Sequence, residues 1–123
     1  KVMTKITVIK KTGNFTILDN TCLKDENLSW KGRGLLVYLL HLPDDWQIYL
    51  EDLKNRGIDG RDSTISGIKE LMKNGYIRRT RKRDKGRFVG YEYEVYEIPN
   101  ELAIAEYAKS ENGKSKVANS NLG

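Results

Sequence analysis

Leu28, Leu35, Leu39 and Leu42 fall on one face at helical spacing, with Leu36 and Leu40 beside them. The pattern predicts a first helix from about Ser29 to His41. Ser29 is placed to cap it, its hydroxyl accepting an orphan backbone N–H. Pro43 stops it, and His41 lies at the negative end of its dipole. Gly32 and Gly34 each cost about 1 kcal/mol inside a helix, which points to close packing near its start or to a late start. Leu50, Leu53 and Ile58 predict a short second helix over about residues 50–56 that faces the core. Glu51 and Asp52 occupy its first turn, and Gly57 suits the left-handed position after it. A third helix, from Arg61 or Asp62 to Asn74, follows from the shared face of Ile65, Ile68, Leu71 and Met72. At about 100° per residue, Ser63, Ser66, Gly67, Glu70 and Lys73 point away from that face. Gly75 ends this helix.

The pattern then changes to period two. Tyr76–Arg83 and Phe88–Glu97 read as strands, with Asp84, Lys85 and Gly86 between them. Val89, Tyr91, Tyr93 and Val95 share one face of the second strand, and Gly90, Glu92 and Glu94 share the other. A three-residue loop with Gly86 left-handed pairs Arg83 with Arg87, Ile77 with Tyr93 and Arg78 with Glu92. A two-residue loop sets Ile77 against Glu94 and turns every side chain to the wrong face. The three-residue loop is therefore expected, with a cross-strand ion pair between Arg78 and Glu92.

The remaining segments are less patterned. Ile6–Ile9 and Phe15–Leu18, split by the turn formers Thr12, Gly13 and Asn14, predict a hairpin or an extended arm. Trp46–Tyr49 has the composition of a short strand. Pro99–Ala108 predicts a short last helix, and the Ser, Asn, Gly and Lys residues from Lys109 onward predict a disordered tail. The chain thus divides into an arm or hairpin (1–20), a folded domain (21–98) and a short helix with tail (99–123). Its fold class is α+β. The order of helix, short helix, tight Gly-containing turn, helix and hairpin is that of a winged helix-turn-helix with a basic β-hairpin wing.

Charge sharpens this picture. Residues 78–87 (RRTRKRDKGR) hold seven cations and one Asp, a net +6 against +5 for the whole chain, so the remainder is −1. Like charges packed on a hairpin tip repel one another, whereas counterion release from a polyanion rewards them. Double-stranded DNA is therefore the expected partner. On the third helix Arg61, Ser63, Thr64, Ser66, Lys69 and Lys73 are the candidate DNA contacts. Arg can pair with guanine, and Ser and Thr with phosphate or base. On the wing the candidates are Arg79, Arg81, Lys82, Arg83, Lys85 and Arg87. Glu70 is expected to pair with Lys73 or to accept from a cytosine amine. Tyr91, Tyr93 and Tyr96 invite a nucleobase-stacking reading, but they alternate with Glu92 and Glu94, which would repel a backbone, so packing under the wing is the preferred assignment. Trp30 and Trp46 are assigned to the core or its edge.

The 123 residues, 38% hydrophobic and 32% charged, suit one domain with a modest core. The one cysteine, Cys22, cannot form an internal disulfide, fits a reducing cytoplasm, and reads as a buried apolar residue. Asp44 and Asp45 read as turn chemistry after Pro43. No Cys/His metal set, phosphate-cradling Gly-rich loop or nucleophile–base pair occurs, and His41 is the single histidine. No enzymatic activity, metal or cofactor is expected, and no apolar run has the length of a membrane span.

Three segments, NFTILDN (14–20), LSWKGRGLLVYLLHLPDDW (28–46) and KELMKNGYIRR (69–79), resemble the N-terminal winged-helix domain of DnaD-like replication proteins and phage replisome organisers. These occur in low-GC Gram-positive bacteria, their phages and mobile elements. The resemblance covers about residues 14–97. It implies DNA binding at an origin or fork, self-association, and recruitment of other replication proteins, without catalysis. Full-length relatives carry a further helical domain after a linker, where this chain has its polar tail. A transcription regulator on the same fold, and an assembly module that pairs its N-terminal arm (5–18) with a second copy, are the alternatives.

Overall fold

The computed structural model describes residues 3–5, 7–9, 14–43 and 49–122, with residues 112–122 described by their backbone. Among these residues the fold is α+β, with five helices and one two-stranded antiparallel hairpin. In chain order they are α1 (Thr21–Lys24), α2 (Trp30–Leu40), α3 (Leu50–Leu53), α4 (Gly60–Lys73), β1 (Ile77–Asp84), β2 (Arg87–Val95) and α5 (Glu101–Leu122).

Helix α2 forms where the leucine stripe predicts it. Ser29 Oγ accepts from Gly32 N at 2.9 Å, and His41 is the C-cap. The second half of this cap comes from elsewhere in the chain. Glu70, on α4, accepts from both Ser29 N and Ser29 Oγ, the latter at 2.7 Å. A capping box ordinarily draws its carboxylate from the third helical residue. Here that residue is Gly32, and a Cβ on it would stand 2.8 Å from the Glu70 carboxylate. Glycine at this position makes room for the carboxylate of α4. Glu70 is thus a tertiary cap. Among the described residues it makes no ion pair with Lys73, because its carboxylate turns to Ser29 instead.

The same helix pair explains Gly67. It was expected to face away from the core, yet it is buried, and a Cβ there would lie 2.9 Å from Leu35 Cδ2. Helices α2 and α4 cross at this point, and the absent side chain lets them approach. Leu36 and Leu71 are fully buried at this junction with Leu28, Leu53, Ile68 and Met72. Each such side chain contributes about 1.5–3 kcal/mol of burial. Cys22, on the unforeseen single turn α1, closes the core as a buried free thiol, and burial raises its pKa. Asp19 holds the start of α1 by accepting from Thr21 N at 2.8 Å.

Helix α4 ends in a full Schellman motif. Tyr76 N donates to Leu71 O at 2.9 Å, and Gly75 N donates to Met72 O at 3.2 Å. Gly75 has φ +88, and a Cβ on it would meet Ile104 of α5 at 2.7 Å. It is required both for its left-handed backbone and for helix contact. Tyr76 is then fully buried, and its hydroxyl donates to Asp25 Oδ2 at 2.7 Å. Burial, followed by this hydrogen bond, pushes the Tyr76 pKa well above the ordinary tyrosine value.

Several expectations are corrected. No hairpin forms at the N-terminus among the described residues, and Val8, Ile9, Phe15 and Ile17 are exposed there, because a two-stranded ribbon without a packing face is marginal. Ile6, Thr12 and Gly13 lie outside the described residues, as do Asp44, Asp45, Trp46 and most of the expected Trp46–Tyr49 strand. Helix α3 is a single turn, so its phase does not carry to Ile58, which is fully exposed rather than core. The left-handed residue in the following turn is Gly60, not Gly57. Trp30 is also outside the core, exposed at the start of α2, with the Arg33 guanidinium 4.6 Å above its ring. Helix α5 does not stop near Ala108. It continues to Leu122, since no proline follows Pro99 and Gly113 alone costs only about 1 kcal/mol. No described helix is long and apolar enough to cross a membrane.

Candidate nucleic-acid interface

The hairpin closes through two residues, Lys85 (φ +51) and Gly86 (φ +81), with Asp84 opposite Arg87. These are the dihedral signs of a type I′ turn. The three-residue loop is therefore not used. Yet Ile77 does not meet Glu94, because the register shifts between Lys82 and Arg83. Arg83 pairs with Phe88 while Lys82 pairs with Gly90, which leaves Val89 as the extra residue of a β-bulge. Gly90, at φ +135, supplies a backbone conformation that side chains resist. Below the bulge Ile77 pairs with Val95, Arg78 with Glu94, Arg79 with Tyr93 and Arg81 with Tyr91. The bulge preserves the apolar face of Ile77, the outcome that the three-residue loop was invoked to secure.

This register sorts the charges. One face of the hairpin carries Arg79, Arg81 and Arg83 on β1, with Phe88, Tyr91 and Tyr93 on β2. The Arg79 guanidinium lies 4.3 Å from the centroid of the Tyr91 ring, and that of Arg81 lies 4.4 Å from Phe88. Each arginine leans one pair toward the tip. Phe88 and Tyr91 meet edge to face at 5.1 Å. Phe88, Tyr91 and Tyr93 are 44%, 43% and 37% exposed, so the tyrosines on this strand do not pack under the wing. Ile77 on the same face is 1% exposed. The face is core at its base and solvent beyond it, because the hairpin outruns the helices that could cover it. Tyr96, below it, is half-buried and donates to Glu94 Oε2 at 3.2 Å.

The opposite face is neutralised. Arg78 makes a two-pronged pair with Glu106 of α5, at 3.1 Å on both contacts, and reaches Glu94 at 3.8 Å. Its expected partner Glu92 instead pairs with Lys82 at 3.2 Å. The pairing changes because the shorter turn and the one-residue bulge together move the register by two residues from that expected, and α5 brings in a carboxylate of its own. Glu106 holds the Arg78 pKa above the usual guanidinium range. Among the described residues Arg79, Arg81, Arg83, Lys85 and Arg87 make no ion pair, and Arg83 Nη1 donates only to Gly86 O at 3.3 Å.

On α4 the candidates divide. Thr64 Oγ1 donates to Gly60 O at 2.7 Å, and Ser63 Oγ donates to Asp59 Oδ2 at 3.4 Å, so both hydroxyls serve the helix start. Both side chains are half-buried. Arg61 reaches Asp62 at 3.3 Å. Ser66, Lys69 and Lys73 are exposed along one stripe that begins at the acidic Asp62. Lys69 and Arg79 together line a cavity of about 80 Å³, with Met72, Glu106, Tyr107 and Glu111. The α4 stripe and the arginine face of the hairpin therefore adjoin, with two carboxylates of α5 at the junction.

The residues that the sequence reading missed are Phe88, Tyr91 and Tyr93. Alternation groups Tyr91 with Tyr93 but sets Phe88 on the opposite face, and the bulge at Val89 brings all three to the arginine face. Among the described residues no cluster of acidic, Cys and His side chains could hold a metal. No protein-family model, curated protein or solved structure matches this chain.

Proposed function

We propose that this chain is a winged helix-turn-helix domain that binds double-stranded DNA, with α3 and α4 as the helix-turn-helix and the β1–β2 hairpin as its wing. The observation that carries the reading is the set of cations on the hairpin that have no carboxylate partner among the described residues. Arg79, Arg81, Arg83, Lys85 and Arg87 repel one another on a protruding hairpin, and a polyphosphate relieves that repulsion. In this reading the wing grips phosphate, and Ser66, Lys69 and Lys73 position α4 against the duplex. Arg61 adds a charge at the helix start, whereas Ser63 and Thr64 act through helix geometry. Assignment to replication initiation, with replication proteins as partners in the cytoplasm, rests on the sequence resemblance to DnaD-like proteins alone.

An anisotropy titration of duplex DNA over a range of salt tests this. Neutralising about five phosphates gives a slope of roughly −4 to −5 in log K against log salt. Replacing Arg81, Arg83 and Arg87 with Ala reduces that slope by about two to three units. An unchanged slope removes the wing from the interface.

A second reading has its own observation. Val8, Ile9, Phe15 and Ile17 expose apolar side chains along the N-terminal arm, which favours self-association through that segment. Sedimentation of the chain with and without residues 1–17 tests it. An identical mass distribution rules it out.

A further inference from the structure

The geometry points to a second nucleic-acid site on the wing, a stacking platform for the unpaired bases of a single strand, formed by Arg79, Arg81, Phe88 and Tyr91. The inference rests on the DNA-binding reading of the hairpin and asks why exposed aromatic rings share a face with its unpaired arginines. Gripping a duplex backbone calls for cations alone. Phosphate contacts do not use aromatic rings, and exposing Phe88 and Tyr91 to water forgoes their burial. A single strand uses both. Its bases stack on aromatic rings and on guanidinium planes, while its phosphates follow the cations.

The placement of these groups fits that ligand. Four planar groups from two strands form one ladder, with Arg79 over Tyr91 at 4.3 Å, Arg81 over Phe88 at 4.4 Å, and the two rings 5.1 Å apart. The guanidinium contacts hold the rings in place and leave them more than two-fifths exposed. Glu92 and Glu94, whose charge would repel a backbone, stand on the far side of the hairpin and face Lys82 and Arg78. No acidic residue of either strand lies on the platform face. Such a face suits the end of a duplex, or a locally opened one, where bases leave the stack beside a phosphate-gripping wing.

The test uses the full chain with two labelled probes, an oligothymidylate strand and a blunt duplex of mixed sequence. Wild type binds both. The double variant Phe88→Leu/Tyr91→Leu keeps apolar bulk without π faces. It loses about tenfold or more in oligothymidylate affinity, with an unchanged salt slope and duplex affinity within about twofold, because stacking releases no counterions. The double variant Arg79→Lys/Arg81→Lys keeps every charge and removes the planar groups. Both residues also serve the duplex grip, so here the readout is the difference between probes: the single strand weakens by about fivefold or more beyond any loss for the duplex, and this comparison stands as the measurement should the leucine variant fail to fold. If either folded variant binds the strand as wild type does, or weakens both probes equally, the platform is overturned. If wild type binds the duplex but not the strand, the platform alone fails. If it binds neither, the DNA-binding reading fails as well.

Discussion

The two faces of the hairpin are made from alternate residues of the same strands, yet their charges have opposite fates. Arg78 and Lys82 are held by Glu106, Glu94 and Glu92. Arg79, Arg81 and Arg83, one residue away on each side, meet rings and solvent. Composition counts these cations as equals. A cation already paired releases fewer counterions and contributes less to polyanion affinity than an unpaired one, so binding capacity follows partners rather than charge number. The same contrast runs along a single face. Ile77 is sealed in the core while Phe88, at the other end, is open, so a period-two pattern alone says nothing about where the body of the protein stops.

The most damaging change to this arrangement is Gly90→Val, which puts a β-branched side chain at φ +135 in the bulge and opposes the conformation that lets the ladder skip Val89. Without the bulge, a two-residue turn sets Ile77 against Glu94 and exchanges the faces. Either the turn or the core strand end is lost. We expect at least about 2 kcal/mol of destabilisation in urea, the value of one buried aliphatic side chain. A substitution that leaves stability unchanged would mean that the bulge does not set the register.

Next in size is a direct comparison of the faces by DNA titration over a range of salt. Replacing Arg79, Arg81 and Arg83 together with Ala lowers the salt slope by about three units, and replacing Arg78 and Lys82 lowers it by less than about one. The second pair should instead lower Tm by a few degrees, through loss of the Glu106 anchor on α5. Equal slopes for the two sets would erase the distinction between the faces.

Tyr76 supports the base from which both faces extend. Its folded-state pKa is raised, so the native state keeps its proton where the unfolded state, with an ordinary tyrosine pKa of about 10, loses it. Stability from this group is fully present below about pH 10 and is lost as pH rises from there. Tyr76→Phe should cost about 1–2 kcal/mol at neutral pH, because Asp25 Oδ2 loses its donor. The variant should also show a shallower alkaline decline in a melting series. A parallel decline would assign the alkaline transition to other groups.

The smallest effect concerns the junction with α4. Glu111 lines the cavity shared by Lys69 and Arg79. Glu111→Gln removes a negative charge from the proposed path of phosphate, and duplex affinity should rise by about twofold at low salt. Weaker binding would place Glu111 outside that path.

Legibility varied along the chain for physical reasons. Helices α2 and α4 were readable because each has a leucine- or isoleucine-rich stripe and a local stop, Pro43 or Gly75. The hairpin was readable from its alternation, and the need to keep Ile77 on the apolar face was correctly inferred, though the device that meets it was not. A loop residue and a bulge residue change parity in the same way, and period-two reasoning cannot separate them. The candidate cations were legible as a cluster, but not which of them had partners. Glu106 is 28 residues from Arg78 and Glu70 is 41 from Ser29, and no local pattern announces such pairs.

The sequence alone determined the helical stripes of α2 and α4, the Ser29 cap and the Gly75 stop, and the concentration of charge in residues 78–87, since each depends on neighbours a few positions away. Tertiary structure decided which arginines are paired, which aromatic rings face water, and why Gly32 and Gly67 are glycines, since those depend on groups that only folding brings within a few ångströms. Counting residues gave the strength of the hairpin's charge, and folding gave that charge a direction.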